Sequence, residues 1–372
     1  MKLKIALLPG DGIGPEVLAQ GIKCLQAIEE TFNHDFSYIE LPVGAMAIEK
    51  YGIPLPNSTL KVCRDSDAIL FGAIGDPKYD NDPDAKIRPE QALFKLRKEL
   101  DLFANIRPVK MFPTLIDKSP IKKKIILGTD FVIYRELTGG IYYGKKKLSK
   151  DGTIATNLCE YTEKEISRIT HLAFKAAKGR KKKVTLVDKA NVLESSRLWR
   201  RVVTRIAESY PEVTLEYMFL DNAAMQLILA PTQFDVILTE NLFGDILSAE
   251  GSVIGGSIGL LPSASIGEEN AMFEPIHGSY PQAKGKDIAN PIAAILSAAM
   301  LLQHFGLHEE VMAIVLAVDK TMKKNIVTPD LDKNSTFGTN HVGDSIASHI
   351  LDMDDDLNIN DENIGLGKST II

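Results

Sequence analysis

Glu240-Asn-Leu-Phe-Gly-Asp-Ile-Leu-Ser-Ala-Glu250 follows a short apolar run, Phe234-Asp-Val-Ile-Leu-Thr239. The run has strand character, so Asp245 is expected at the start of a helix beyond a strand end, where oxygen ligands converge on a cation. Asp221 follows a second β-like run, Val213 to Leu220. Two strand-end carboxylates suit Mg²⁺ or Mn²⁺, and they equally suit helix starts that need an acid to complement the dipole. A third strand, beginning at Lys183, delivers Asp188, Lys189 and Asn191 to the same sheet edge, the edge at which open α/β sheets bind ligands. Arg107 in Phe103 to Val109 and Arg135 in Phe131 to Arg135 sit inside apolar strands. A guanidinium there is costly without a partner, which makes these two candidates for anion binding. On the helix Arg88 to Leu100, Leu93, Leu96 and Leu100 form a core stripe while Glu90, Phe94 and Arg97 share a neighbouring face. With 43 Lys and Arg in the chain, that face reads equally well as ordinary surface.

The elements that carry these residues alternate between strand-like and helix-like along nearly all 372 residues, which predicts an α/β protein with a largely parallel sheet. The length accommodates two domains. A net charge of −6 argues against nonspecific binding to nucleic acid or anionic membrane, and the short basic runs at Lys122 to Lys124, Lys145 to Lys147 and Arg180 to Lys183 read as solvated turns. Cys24, Cys63 and Cys159 are widely spaced, without zinc or disulfide patterning, and fit a reduced cytoplasm. Met1 to Pro9 reads as a strand rather than a signal peptide, and the longest apolar stretch, Pro291 to Leu302, is too short for a membrane span. Gly10, Gly12 and Gly14 have GxGxG spacing, which predicts a tight strand-to-helix turn and not a dinucleotide fingerprint. Leu260 to Gly267 reads as a turn-rich crossing and Glu274 to Pro281 as a loop. The acidic end, Leu351 to Ile372, is expected to be loosely draped.

Several motifs then occur together and in order. They are Arg88-Pro-Glu-Gln with Leu96-Arg97, Ala104-Asn-Ile-Arg-Pro-Val109, Arg135-Glu-Leu-Thr-Gly-Gly-Ile-Tyr142, Val187-Asp-Lys-Ala-Asn191, Asn241-Leu-Phe-Gly-Asp-Ile-Leu247, Leu261-Pro-Ser-Ala-Ser265, Glu274-Pro-Ile-His-Gly-Ser279 and Ile288-Ala-Asn-Pro291. This set resembles the isocitrate/isopropylmalate dehydrogenase family of metal-dependent decarboxylating β-hydroxyacid dehydrogenases, most closely its 3-isopropylmalate branch, from about Lys2 to Gly343. The resemblance implies a two-domain isopropylmalate-dehydrogenase-like α/β fold with a sheet running through both domains, not a standard Rossmann fold. Residues 1–102 and 256–372 would form a cofactor-binding domain holding both termini. Residues 103–255 would form a dimerisation, metal and substrate domain with an arm at 143–161.

The implied reaction is oxidative decarboxylation of 3-isopropylmalate with NAD, in leucine biosynthesis, by a cytoplasmic homodimer with shared active sites. Arg97, Arg107 and Arg135 would clamp the substrate carboxylates. Lys189 would act as general base, and Tyr142 as the acid that protonates the enol carbon. Asp245, and Asp221 from the partner subunit, would hold Mg²⁺ or Mn²⁺. Glu90, Leu93, Phe94, Asn191 and Val192 would complete the substrate site, its apolar wall suiting an isopropyl group. Ile13, Glu274, His277, Gly278, Ser279, Gln282, Ile288 and Asn290 would bind NAD. Two positions depart from the family pattern. Ala249 stands where a further metal-site aspartate is usual, and Glu250, about 100° round the helix, is no simple substitute. Tyr280-Pro-Gln282 stands where Ala-Pro-Asp usually holds the adenosine ribose, and Gln282 brings no cation for a 2′-phosphate. The competing readings are a sibling enzyme acting on another 3-substituted malate and a catalytically weak regulatory relative.

Overall fold

A computed structural model describes residues 1–82 and 85–353. The strands, in chain order, are β1 (Lys2–Gly10), β2 (Asp35–Glu40), β3 (Ala68–Ala73), β4 (Ala104–Lys110), β5 (Asp130–Glu136), β6 (Lys146–Leu148), β7 (Ala155–Asn157), β8 (Lys183–Asp188), β9 (Thr214–Phe219), β10 (Val236–Thr239), β11 (Pro262–Ile266) and β12 (Ala271–Pro275). All but β6 and β7 belong to a large sheet of mixed direction in an α/β fold. The chain divides into two compact units: residues 1–102, 112–119 and from 255 onward in the first, residues 103–111 and 120–254 in the second.

In the first unit the strand order is β2-β1-β3-β12-β11. β1 runs parallel to β2 and β3, β12 parallel to β3, and β11 antiparallel to β12. The helix Ile292–His304 is apolar on all sides, and Ile292 to Leu302 are all buried, as expected for a helix packed on every face. The helix Gly14–Phe32 packs between it and the helix Thr339–Leu351. At the start of Gly14–Phe32 the three glycines make the expected tight turn. Gly10 and Gly12 have φ of 72° and 58°, and a Cβ at Gly12 would stand 2.0 Å from the Ser279 carbonyl oxygen. A side chain is excluded twice over there, by strain and by contact.

Two expectations for this unit need correction. The turn-rich crossing is strand β11, and Glu274 lies within β12, not in a loop. Pro262-Ser-Ala-Ser-Ile266 has little intrinsic β character. It becomes a strand because five rungs pair it with β12 and nearly every position is buried, a tertiary override of local propensity. Proline is tolerated as the first residue of a strand. β4 and β5 are also antiparallel, but β1–β2, β1–β3, β3–β12, β5–β10, β8–β10 and β8–β9 are all parallel, so the sheet is largely parallel, as expected.

In the second unit the order is β4-β5-β10-β8-β9, with β10 parallel to β5 and β8, and β9 parallel to β8. Leu186, Ile237 and Val236 are fully buried, and the helices Glu163–Gly179 and Glu194–Ala207 cover β8. Thr162 and Glu165 form a reciprocal capping box that fixes where the first of these begins. Strands β6 and β7 form a separate antiparallel ribbon within the expected arm, exposed at all six positions. The expected loose tail falls outside the described residues beyond Met353; Leu351 itself ends a helix.

Candidate active site

Asp245 lies in the first turns of the helix Asn241–Gly255, directly after β10. Two buried arginines converge on it. Arg135 Nη1 donates to Asp245 Oδ1 at 2.6 Å and Arg107 Nη1 donates to the same oxygen at 3.3 Å, while Tyr142 Oη donates to Oδ2 at 3.0 Å. Arg135 and Arg107 are only 2% and 6% exposed, and their bonds to Asp245 supply the partners that a buried guanidinium demands. The helix approaches Arg135 this closely because Gly244 precedes Asp245; a Cβ there would lie 2.6 Å from Arg135 Cγ.

Sequence reading missed the residues that aim these groups. Asn241 Oδ1 accepts from Arg135 Nε and Nη2 at 3.0 and 2.7 Å, Asn241 Nδ2 donates to the Gly139 carbonyl, and the Asn241 N–H donates to Tyr161 Oη. Ser248 Oγ accepts from Arg107 at 2.5 Å, and Asn105 accepts from Arg107 Nε. The pattern was available, since Asn241 and Ser248 lie one turn either side of Asp245, but neutral polar residues at helical spacing carry no signal until the arginines are located.

Tyr142 is half-buried. Burial first, and then the Asp245 charge, raise its pKa above the ordinary phenol value, so it holds its proton at neutral pH and is available as a donor.

A second cluster forms where β8 and β9 end. Lys189 Nζ donates to Asp221 Oδ1 at 2.7 Å, and this bond, more than any other interaction, holds the Asp221 carboxyl below its usual pKa. The pair is exposed, with side-chain accessibilities of 28% for Lys189 and 69% for Asp221. Asp221 stands in the first turn of the helix Leu220–Leu229. Asn191 and Val192 are exposed beside Lys189.

In the first unit, the helix of residues Gln91–Glu99 is shorter than expected, with Glu90 as its N-cap residue; Glu90 keeps helical dihedrals and its carbonyl accepts from the Phe94 N–H, so it stays on the face of Phe94 and Arg97. Leu93 packs partly buried on the core cluster that includes Leu96 and Ala92, which makes it core as much as wall. Phe94 is half-buried. Arg97 is buried and its Nη2 donates to Glu274 Oε1 at 2.8 Å, with both side chains 8% exposed; its buried Nε has no hydrogen-bond partner. Thus Glu274 and Arg97 are partners in one buried pair.

Several of the expected cofactor residues do meet. The Ile13 N–H donates to the Ser279 carbonyl at 2.8 Å, and a Cβ on Gly75 would lie 2.9 Å from Glu90 Oε1 and 3.3 Å from Ser279 Oγ. Asp11, which sequence reading passed over, ties these loops together: its carboxylate accepts from the Gly75 and Ala45 N–H groups at 3.0 and 2.8 Å. Ile13 turns its side chain into a small core with Val17, Ala283, Ala289 and Ala294, so only its backbone faces the loop. His277 Nδ1 bonds the Gly278 carbonyl, its buried Nε2 has no hydrogen-bond partner, and burial lowers its pKa. Nothing lies within 4 Å of a Cβ built on Gly278. Gln282 and Ile288 are exposed. Asn290 is buried and engaged at both ends, accepting from the Ile292 N–H and donating to Asp330, which is a helix-start role.

Among the described residues, no group of three or more His, Cys, Asp and Glu is placed to hold a metal. Asp221 and Asp245 are oxygen donors of the type Mg²⁺ and Mn²⁺ prefer, and each stands partly open to solvent, so the donors fit those ions when supplied from two clusters. Ala249 is exposed one turn beyond Asp245 and offers no oxygen from its side chain.

A sequence profile of the family described as Isocitrate/isopropylmalate dehydrogenase matches residues 4–346. The chain is 53% identical over 352 residues to a 3-isopropylmalate dehydrogenase of Bacteroides fragilis, covering 94% of this chain and 99% of the relative. It is 50% identical over 355 residues to one of Aquifex aeolicus, covering 94% and 97%. The chain belongs to the isocitrate/isopropylmalate dehydrogenase family.

Two solved structures of related enzymes agree with that placement. The isocitrate dehydrogenase of Methylococcus capsulatus superposes with a TM-score of 0.85 at 34% identity, covering 94% of this chain and 99% of the other. A beta-decarboxylating dehydrogenase of Thermococcus kodakarensis, in its apo form, gives 0.77 at 36% identity, covering 94% and 96%. Membership in the isocitrate/isopropylmalate dehydrogenase family makes this chain an oxidoreductase.

Proposed function

We propose that this chain oxidatively decarboxylates 3-isopropylmalate to 4-methyl-2-oxopentanoate and CO₂ with reduction of NAD, a step of leucine biosynthesis. The observation that carries it is the convergence of two buried guanidiniums and a protonated phenol on one carboxylate, in a chain half identical to 3-isopropylmalate dehydrogenases along almost its whole length. Planar guanidiniums bind carboxylates through two parallel bonds, and a small diacid offers two such groups.

In this reading Arg107 and Arg135, with Arg97, hold the substrate's carboxylates and orient it. Lys189 takes the proton of the C2 hydroxyl as hydride leaves C2 for the nicotinamide, and Tyr142 returns a proton to the enol carbon after CO₂ departs. Asp221 and Asp245 would hold Mg²⁺ or Mn²⁺, which when bound stabilises negative charge developing on the substrate's oxygens. The loop from His277 to Gln282 would receive NAD. Gln282 is a hydrogen-bonding group without positive charge, which favours NAD over NADP. Leu93, Phe94 and Val192 supply apolar surface and no cation for a third carboxylate, the group that separates isocitrate from an alkylmalate.

Because Lys189 and Asp221 are bonded to each other on one chain, a site that borrows Asp221 from a partner subunit borrows Lys189 with it. The exposed ribbon β6/β7, with Leu148, Ile154 and Leu158 on its surface, suits pairing with a second copy, so the proposed assembly is a homodimer with shared sites. The three cysteines, none in a disulfide, suit a cytoplasmic setting. NADH formation from 3-isopropylmalate and from isocitrate, in parallel, tests the reading. The expected result is a kcat/KM at least about a hundredfold higher for 3-isopropylmalate, and equal or reversed preference would overturn it. Ala249→Asp is expected to lower the Mg²⁺ concentration for half-maximal rate, and the same shift should appear in direct Mn²⁺ binding.

A further inference from the structure

We propose that Arg200 is a positioning residue for the Lys189 and Asp221 pair, holding the two strand ends that carry them in fixed relation. This rests on the reading of that pair given above. Strands β8 and β9 run parallel, and their last rung pairs Asp188 with Phe219. Lys189 and Asp221 lie one and two residues beyond that rung, where no sheet pairing continues. Besides the Lys189 to Asp221 bond itself, a side chain from the covering helix spans the two strand ends. Arg200, from the helix Glu194–Ala207, donates through Nε to Asp188 Oδ2 and through Nη2 to Asp188 Oδ1, both at 2.8 Å. The same guanidinium lies over the rings of Tyr217 and Phe219, at 4.8 and 5.4 Å from their centroids. Those residues are alternate positions of β9 and project to one face. Lys189 Nζ lies over the Phe219 ring at 6.0 Å.

The turn that carries Lys189 is fastened to the same helix. The Lys189 N–H donates to Ser196 Oγ at 3.1 Å, Arg197 Nε donates to the Ala190 carbonyl at 2.9 Å, and the Ala190 N–H donates to Asp188 Oδ1 at 3.0 Å. Arg200 therefore acts on Lys189 through Asp188 and on Asp221 through Phe219. The competing explanation is charge compensation, because Asp188 is 2% exposed and needs a cation. A lysine at position 200 would supply that charge. It would supply neither the planar fork nor the flat face that rests on two rings.

Arg200→Lys separates the two roles. With 3-isopropylmalate and NAD in saturating Mg²⁺, the variant is expected to melt within about 2 °C of the parent and to keep KM within about twofold. Its kcat should fall at least about tenfold, since a displacement of an ångström in a reacting group can cost about a hundredfold. Arg200→Ala should lose more, and guanidinium ion at concentrations too low to unfold the parent should restore part of kcat by occupying the vacated place against Asp188. Phe219→Leu combined with Arg200→Lys should lose no more than the worse single variant, as expected for residues on one path. Arg201→Ala, an exposed neighbour, should leave kcat unchanged. An Arg200→Lys kcat within twofold of the parent, or a loss wholly explained by unfolded protein, would overturn the inference. Lys189→Met is run alongside. If it turns over normally, the reading of the pair falls and this inference with it; if it is inactive while Arg200→Lys is fully active, the reading survives and only the positioning role falls.

Discussion

The two clusters of the second unit are built in opposite ways. Around Asp245, the arginines are buried, aimed by Asn241, Ser248 and Asn105, and joined to Tyr142 through the carboxylate they share. Around Lys189, the backbone is fastened to the helix Glu194–Ala207, but the Lys189 and Asp221 side chains themselves meet in an ion pair that stands open to solvent at two strand ends. An exposed pair contributes between nothing and about 1 kcal/mol to stability, whereas stripping a partner from a buried pair is costly. The first cluster is thus tied to the fold itself, and the second gains most of its meaning from whatever it meets. That contrast suits the shared site proposed above, in which one half would be preassembled to receive a dianion and the other held outward to complete the site of a partner chain.

Removing a group from each half should break the contrast in different currencies. Lys189→Met is expected to lower kcat by about 10²–10⁴-fold, the range for a general acid or base, while changing unfolding free energy by less than about 1 kcal/mol. Steady-state kinetics and urea melts on one preparation check both halves of that statement. Arg135→Ala should cost about 2–4 kcal/mol of stability as well as activity, because Asp245 and Asn241 lose their buried donor; the partial exposure of Asp245 keeps the figure below that of a fully buried pair. Equal destabilisation by the two variants would erase the distinction.

A smaller effect sharpens the comparison from within the sheet. Glu240, the residue just after β10, is buried, and its Oε2 has no hydrogen-bond partner. Burial first, and then the nearby charges of Asp188 and Glu136, raise its pKa from 4.5 to about 7. Between those values the folded chain keeps a proton that the unfolded chain has released, so this group's contribution to stability falls as pH rises through that window and levels off above it. Glu240→Gln should therefore flatten the pH dependence and raise stability at pH 8 by about 1–3 kcal/mol, read from urea melts at pH 5 and 8. No gain at pH 8 would show that the buried carboxyl is better solvated than its surroundings imply.

Much of this was legible in the chain itself, for stated reasons. Arginine inside an apolar strand is costly unless partnered, and acids just beyond strand ends suit a cation or a helix start, so Arg107, Arg135, Asp221 and Asp245 stood out, and their motifs in order pointed to the family that the relatives share. Strand β11 was not legible, because a Ser- and Ala-rich segment becomes a strand only through its neighbours. Nor was the pairing of Arg97 with Glu274, 177 residues apart, or the restraint of Arg135 by Asn241, which depend on how distant segments dock. Leu93 and Ile13 illustrate the converse: motif positions whose side chains are largely occupied by packing.

The sharing of sites can be measured by complementation. Chains carrying Lys189→Met and chains carrying Tyr142→Phe, each nearly inactive alone, are co-expressed and the mixed assembly is assayed for NADH formation from 3-isopropylmalate with Mg²⁺. If Lys189 of one chain serves the Arg107, Arg135, Tyr142 and Asp245 cluster of the other, half of the dimers carry one intact site, and activity should rise to about a quarter of the parent's. Activity no higher than that of either variant alone would contradict the shared site, and with it the reading of the two clusters as halves of one centre.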